Sequence, residues 1–420
     1  MTTKRVLVVH YFFPPLGGGG VPRVLKFVKY LPELGWDVTV LTSPMSARSY
    51  EVRDESRLSE VPPNVHVVRA AELSAARMRQ RMRNPLLRLR VPNAEHFIGW
   101  PDEIAGWLPG AITRGTRVAR DWQPSVVFSS SFPYTSHLAA LGIARAARVP
   151  WVADFRDEWT LNPQGAQLPW PLPSLNARTE RALVRRADRV VVVDDYLPLA
   201  GLRRDDPRRI VIHNGVDEAD FASDPSSVGP PTDVFRLAYV GSLYGTRDLV
   251  PVLTAISRLI ASGAIDVRCF ELTLVGNVWI PAGVLDGLPF AVNRVGYVEH
   301  ERAVLEMHSA TALLFYAPME TRAGSGKIFE YLLAGRPVLA VARPDNLAHR
   351  LVAELGAGAV ASPDDPIAIE GALTGLYQQW TQGVLSVPSE VRHATLQRFS
   401  RRGLTQKLAD VFAAVARSQE

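Results

Sequence analysis

The 420-residue sequence is poor in cysteine: Cys269 is the only one. A single thiol excludes an internal disulfide and a multi-cysteine metal cluster, and its apolar run leads one to expect a small buried residue. Long hydrophobic runs are missing too. Those present, such as residues 312–318 and 338–342, fall far short of the roughly 18 residues a membrane span needs. No charged, apolar and cleavable leader precedes the strand-like residues 5–10, so a cytoplasmic protein is expected. No Asp-x-Asp pair occurs, and Asp194-Asp195, Asp205-Asp206 and Asp364-Asp365 read as turn or helix-cap pairs. The expectation is no cofactor and no essential divalent metal.

With 47% apolar and 21% charged residues and no repeat, the composition is that of an ordinary globular protein, and the length suits two or three domains. Charge is unevenly spread. Residues 1–216 hold 30 Lys and Arg against 20 Asp and Glu, a net of +10, while 217–420 hold 17 against 22, a net of −5. No zinc-finger spacing or aromatic-studded strand accompanies the basic half, so nucleic acid is not the expected partner. Arg77, Arg79, Arg81, Arg83, Arg88 and Arg90 stand without an acid among Met78, Met82, Leu86, Leu87 and Leu89. That cationic amphiphile predicts peripheral attachment to an anionic membrane surface.

β-branched runs alternate with helical stretches, the pattern of an α/β fold with parallel sheets covered on both faces. Strands are predicted at 5–10, 37–42, 65–68, 126–129, 151–154, 189–193 and 210–213, with helices at 22–34 and 137–148. A Pro-, Ser- and Asp-rich stretch then interrupts the pattern, which restarts with strands at 236–240, 270–275, 312–315 and 338–342 and helices at 248–261, 299–308 and 327–333. The organisation read from this is a first domain over 1–216, a linker over 217–234, a second domain over 235–388, and a terminal helix over 389–420 able to cross back to the first domain. Doubly wound sheets bind ligands outside the carboxyl ends of their strands, so two such domains are expected to share a central cleft.

Gly17, Gly18, Gly19 and Gly20 follow the first strand, and Pro22 and Arg23 open the next helix. Such a loop lets backbone approach a ligand, and a helix N-terminus offers unpaired amides to phosphate. Pro22 stands where the dinucleotide fingerprint needs its third glycine, which argues against NAD. Further on come Asp154-Phe-Arg156-Asp157-Glu-Trp159, His213-Asn-Gly-Val-Asp217, Gly241-Ser242 with Arg247 six places after the glycine, and Gly326-Lys327-Ile-Phe-Glu330. In this order the segments resemble retaining glycosyltransferase family 4.

The resemblance implies a GT-B fold of two Rossmann-like domains and transfer of a sugar from a nucleotide-sugar donor to a lipid-linked, polysaccharide or natural-product acceptor. It assigns the donor diphosphate to Arg247 and Lys327, the transferred sugar to His137, and the ribose to Glu330. Gly18, Gly19, Gly241, Ser242, Gly324 and Ser325 offer backbone to the donor, and the turn holding Val298 reads its base. Asp154, Arg156 and Asp157 are expected to orient the acceptor or support His137. Three positions depart from the family: Ser242 replaces an arginine, Arg247 replaces a lysine, and Arg322 replaces a sugar-binding glutamate. Lys327, a cation in the first turn of a helix, opposes the dipole and is better placed to meet an anion than to stabilise. Rival readings are a non-catalytic sugar-nucleotide-binding subunit, and a nucleotide-sugar epimerase or glycogen-type phosphorylase of like architecture.

Overall fold

The computed structural model describes residues 4–44, 53–73, 99–161, 168–221, 229–243, 249–280, 283–318 and 326–417. The chain divides into two compact units, Met1–His213 with Arg401–Glu420, and Asn214–Ser400. Each is built on a parallel sheet.

Among the described residues the first sheet has seven strands: β1 Arg5–Val9, β2 Asp37–Thr42, β3 His66–Arg69, β4 Val126–Ser130, β5 Trp151–Phe155, β6 Arg189–Val192 and β7 Arg209–Val211. Their spatial order is β3-β2-β1-β4-β5-β6-β7. β1 therefore pairs with both β2 and β4, Val6 lying beside Val38 on one side and Val126 on the other. The strands are almost wholly apolar because helices cover both faces and leave no wet side. The helices are α1 Pro22–Tyr30, α2 Leu108–Trp122, α3 Thr135–Ala147 and α4 Leu172–Arg186. Asp102, from the loop before α2, caps α3: its carboxylate accepts from Thr135 N at 2.8 Å and Thr135 Oγ1 at 2.7 Å.

In the second unit the strands are β8 Phe235–Val240, β9 Phe270–Val275, β10 Ala291–Gly296, β11 Ala312–Ala317, β12 Val338–Ala342 and β13 Gly358–Ala361, ordered β10-β9-β8-β11-β12-β13. The helices α5 Val250–Ala261, α6 His300–His308, α7 Lys327–Ala334, α8 Leu347–Leu355, α9 Pro366–Thr381 and α10 Ser389–Phe399 surround it. Two cores result, one around Phe329, Leu332 and Val338, the other around Phe235, Leu272 and Leu373. Tyr331 of α7 pins the sheet, its hydroxyl accepting from Val240 N at 2.8 Å and donating to Val240 O at 3.1 Å.

Three features differ from the sequence reading. The expected terminal helix is two helices, because Ser400 is extended (φ −62°, ψ 137°) and separates α10 from α11, Arg401–Arg417. The division between units falls at His213, a few residues before the stretch taken as a linker, and Phe221 within that stretch is buried. Strands β10 and β13 were not anticipated. β10 is exposed along most of its length and β13 is made of Gly, Ala and Val, so neither carries a bulky buried signal.

Helix α11 belongs to the first unit. Phe412 is fully buried there, 5.4 Å from the rings of both Trp36 and Phe128, and Leu404 and Leu408 join the same core. Phe412→Ala should therefore lower the stability of the first unit by about 3–5 kcal/mol. Chemical denaturation followed by tryptophan fluorescence would register this as an earlier midpoint, and an unshifted midpoint would contradict the packing.

Candidate active site

The order of the first sheet reverses between β1 and β4, the switch point at which open α/β sheets bind ligands. Polar residues from four strand ends meet there. Arg23, in the first turn of α1, is buried and bonds Asp154 at the end of β5 through two parallel contacts, Nε to Oδ2 at 2.9 Å and Nη2 to Oδ1 at 2.8 Å. The same guanidinium donates to Ile212 O and His213 O, each at 2.8 Å, past the end of β7. Ser130 Oγ, at the end of β4, donates to Asp154 Oδ2 at 2.6 Å. Burial alone would raise the Asp154 carboxyl, but Arg23, Ser130 and Arg156 outweigh it and hold the group below the usual carboxylate range.

Arg156 faces inward as well. Its guanidinium donates to Ser131 O, to Gly20 O at 2.9 Å and to Phe132 O at 3.0 Å, clamping the glycine loop to the loop after β4. Asp154 and Arg156 are thus engaged by the protein itself, and both act on the charge of His137, as the supporting role expected of them requires. Asp157 differs: it is exposed and makes no hydrogen bond or ion pair with another described residue. Gly18 and Gly19 lie exposed at the outer turn of the loop, whereas Gly20 sits where an added Cβ would come 2.9 Å from the Phe12 ring.

Two histidines complete this edge. His10, just past β1, reaches Ser130 O through Nδ1 at 3.0 Å and Gly20 O through Nε2 at 3.1 Å. Burial, aided by the Arg156 charge, pushes its pKa down to about 4. His137, in the first turn of α3, is fully buried, and burial lowers its pKa to about 3. Its Nδ1 lies 2.8 Å from Ser129 Oγ, which also accepts from Trp151 Nε1 at 2.8 Å. If Ser129 donates to Nδ1, the imidazole proton sits on Nε2 and one polar group is unmatched. The other tautomer leaves two unmatched, the serine hydrogen and Nε2. The satisfied arrangement therefore makes His137 a neutral donor through Nε2, which has no partner among the described residues.

The second sheet switches between β8 and β11, and Lys327 and Gly241 meet there. Lys327, at the start of α7, places Nζ 3.2 Å from Ser242 O and 3.3 Å from the Tyr239 hydroxyl, 5.0 Å from the Tyr239 ring centroid. Gly241 has φ +140°, and a side chain on it would run into Lys327 Nζ. The positive φ requires glycine, and an added Cβ would force the tip of Lys327 aside. Glu330, one turn along α7, is half-buried and makes no ion pair with Lys327 or hydrogen bond with another described residue. Val298 is half-buried ahead of α6 and packs against the core. Arg247, Gly324, Ser325 and Arg322 lie outside the described residues, as do the arginines of 77–90.

Residues 18–215 match the family profile described as a glycosyl transferase 4-like domain, a span that holds the glycine loop, His137 and Asp154. The chain is a glycosyltransferase. No curated protein sequence matches it. Solved structures resemble it over nearly their whole length. A glycosyltransferase of Rickettsia africae is 12% identical with a TM-score of 0.68, covering 99% of each chain. HepE of Anabaena in complex with UDP and glucose is 14% identical with a TM-score of 0.63, covering 98% of this chain and 99% of its own. The lipopolysaccharide outer core galactosyltransferase WaaB is 12% identical with a TM-score of 0.57, with the same coverage. At such identities the likeness speaks for the fold, two Rossmann-like α/β units of GT-B type.

Sequence reasoning passed over Arg23 and His10 in this glycosyltransferase. Arg23 carried a readable signal, since a cation in the first turn of a helix opposes the dipole, the clue that singled out Lys327. His10 carried none beyond ending a strand.

Removing the Asp154 carboxylate strands a buried guanidinium, so Asp154→Ala should destabilise the first unit by about 3–5 kcal/mol. A double variant, Asp154→Leu with Arg23→Met, should lose less than the single one in urea denaturation, and a larger loss would deny the pair its role. The histidines predict a pH effect. With folded pKa values near 4 and 3, below the ordinary 6.5, the unfolded chain takes up protons that the folded unit refuses. Stability is full above about pH 6.5 and falls as pH drops towards 4, by up to about 1.4 kcal/mol per pH unit per site. Denaturation curves at pH 7 and 5 should show the loss, and His10→Asn should make it smaller.

Proposed function

We propose that this glycosyltransferase moves a hexose-type sugar from a nucleoside-diphosphate donor to an acceptor hydroxyl with retention of anomeric configuration, as family 4 enzymes do. The observation that carries the donor half is the Lys327 ammonium lying over Gly241 at the switch point of the second sheet, beside the N-terminus of α7. A cation, a helix N-terminus and a side-chain-free strand end together suit a diphosphate. Lys327 and Arg247 neutralise the charge that builds on the departing diphosphate. Glu330, its carboxylate unengaged by described residues, accepts from the ribose hydroxyls, and backbone at Gly241, Ser242, Val298, Gly324 and Ser325 contacts the rest of the nucleotide-sugar. The family resemblance assigns His137, whose buried Nε2 has no partner among the described residues, to the transferred sugar.

Asp154 is held by Arg23 and Ser130 and is no nucleophile, which favours substitution on one face of the sugar without a glycosyl-enzyme intermediate. The bond from the anomeric carbon to the acceptor oxygen forms as the bond to the diphosphate oxygen breaks, and the acceptor proton passes to the departing diphosphate. No metal takes part in this reading. The acceptor is lipid-linked, a polysaccharide or a natural product. Location is cytoplasmic and peripheral to an anionic membrane through the arginines of 77–90. Among the described residues no helix is long and apolar enough to cross a membrane, which agrees with attachment rather than spanning.

UDP-sugars are the first donors to test, because HepE of Anabaena was solved with UDP and with UDP-glucose. Thermal-shift screening with UDP-, GDP- and TDP-sugars selects the nucleotide, a ligand at 100 times its Kd adding about 2.7 kcal/mol. With the selected donor and excess EDTA, turnover should persist and NMR should show the donor's anomeric configuration in the product. Lys327→Ala should cut kcat about a hundredfold. An inverted product, loss of activity to the chelator, or a near-normal Lys327→Ala enzyme would each remove the corresponding part of the proposal.

A further inference from the structure

The loops leaving β1, β4 and β5 carry aromatic rings that touch in sequence along the carboxyl edge of the first sheet. Phe12 and Phe132 stack with centroids 6.3 Å apart and planes 30° apart. Phe132 meets Tyr134 edge to face at 5.8 Å, and Tyr134 stacks on Trp159 at 4.2 Å and 8°. Phe12 and Phe132 stand on opposite sides of the β1–β4 switch point. Phe132 is 37% exposed, while Tyr134 and Trp159 are buried behind it.

The polar groups of the loop after β4 are turned inward. Ser129 Oγ serves His137 and Trp151, and Ser130 Oγ serves Asp154. Ser131 Oγ faces Asp154 O at 3.4 Å, and Arg156 takes the carbonyls of Ser131 and Phe132. The Tyr134 hydroxyl donates to Glu158 O at 3.0 Å. What this loop shows outward is aromatic surface. The hydroxyls of a sugar placed there would find no polar side chain on this loop and would be left to water. An apolar group has no such need and gains by covering the rings.

We propose that Phe132 and Phe12 form a subsite for the apolar aglycone, aryl or alkyl, of the acceptor, with exposed Asp157 on the neighbouring loop left for a polar group of the same molecule. The proposal rests on the glycosyltransferase reading for the word acceptor, but the subsite is tested by binding alone. Calorimetry of the full chain would compare 4-nitrophenyl β-D-glucoside, octyl β-D-glucoside below its micellar concentration, and methyl β-D-glucoside. At least one apolar glucoside should bind tenfold or more tightly than the methyl one, and which of the two does so tells an aryl from an alkyl aglycone. Phe132→Ala should abolish the preference and Phe132→Tyr should keep it, with the affinity for UDP unchanged in both. Equal or undetectable binding of all three glucosides, or a preference that survives Phe132→Ala, would overturn the subsite. Absence of nucleotide binding and turnover would instead count against the transferase reading, so the two failures are distinguishable. Because Phe132 is partly exposed and Phe132→Tyr conserves the ring, folding does not confound the comparison.

Discussion

The buried pair of Arg23 and Asp154 organises the carboxyl edge of the first sheet. Arg23 belongs to the helix after β1, Asp154 ends β5, Ser130 ends β4, and the carbonyls of Ile212 and His213 follow β7. One ion pair with its hydrogen bonds therefore fixes the relative positions of three strand ends and a helix N-terminus. A buried pair of this kind contributes little net stability, since desolvation of two charges nearly cancels their attraction. Its value lies in direction: a bidentate guanidinium accepts few geometries, and the loops it joins inherit that restriction.

The two units use the same topological position in opposite ways. In the first, the polar groups at the switch point are consumed by one another, and the outward surface is left to aromatic rings, with the unpartnered His137 Nε2 buried beneath. In the second, the switch point is stripped of side chains at Gly241, and Lys327 lies across the opening. A diphosphate requires backbone, a cation and a helix N-terminus. In the reading proposed above, the acceptor requires of the first unit a surface whose side chains lie apart from the contacts that hold the sheet edge. Placing the ion pair beneath the aromatic loops separates these demands, because a change at Phe132 leaves the contacts of Arg23 and Asp154 untouched.

Much of the fold was legible in the sequence because strands buried on both faces are written as continuous apolar runs. Residues such as Val6, Val8, Val126 and Val152 declare themselves without knowledge of their partners. β10 and β13 did not, the first because an exposed edge strand has no apolar alternation to read, the second because Gly, Ala and Val fill helices and loops equally well. The site was legible in its types and illegible in its pairings. Asp154 and Arg156 look like acceptor residues in a linear motif, but their partners stand up to 136 positions away and are brought near by strand order. Lys327 and Arg23 share one signal, a cation opposing a helix dipole, and their settings differ: Arg23 is buried against Asp154, while the Lys327 ammonium lies beside Ser242 O and the Tyr239 hydroxyl.

That contrast bears on the histidines. His10 and His137 lie within the field of Arg156, and Asp154 is the nearby carboxylate that would favour their protonation. With Arg23 fastened to Asp154, that carboxylate is largely neutralised, and burial keeps both rings uncharged. A neutral imidazole offers one donor and one acceptor, where a charged one offers two donors. For His137 the acceptor is committed to Ser129, so a single donor, the buried Nε2, is left without a partner among the described residues. Burial therefore sets the charge of His137, and its contact with Ser129 sets the tautomer.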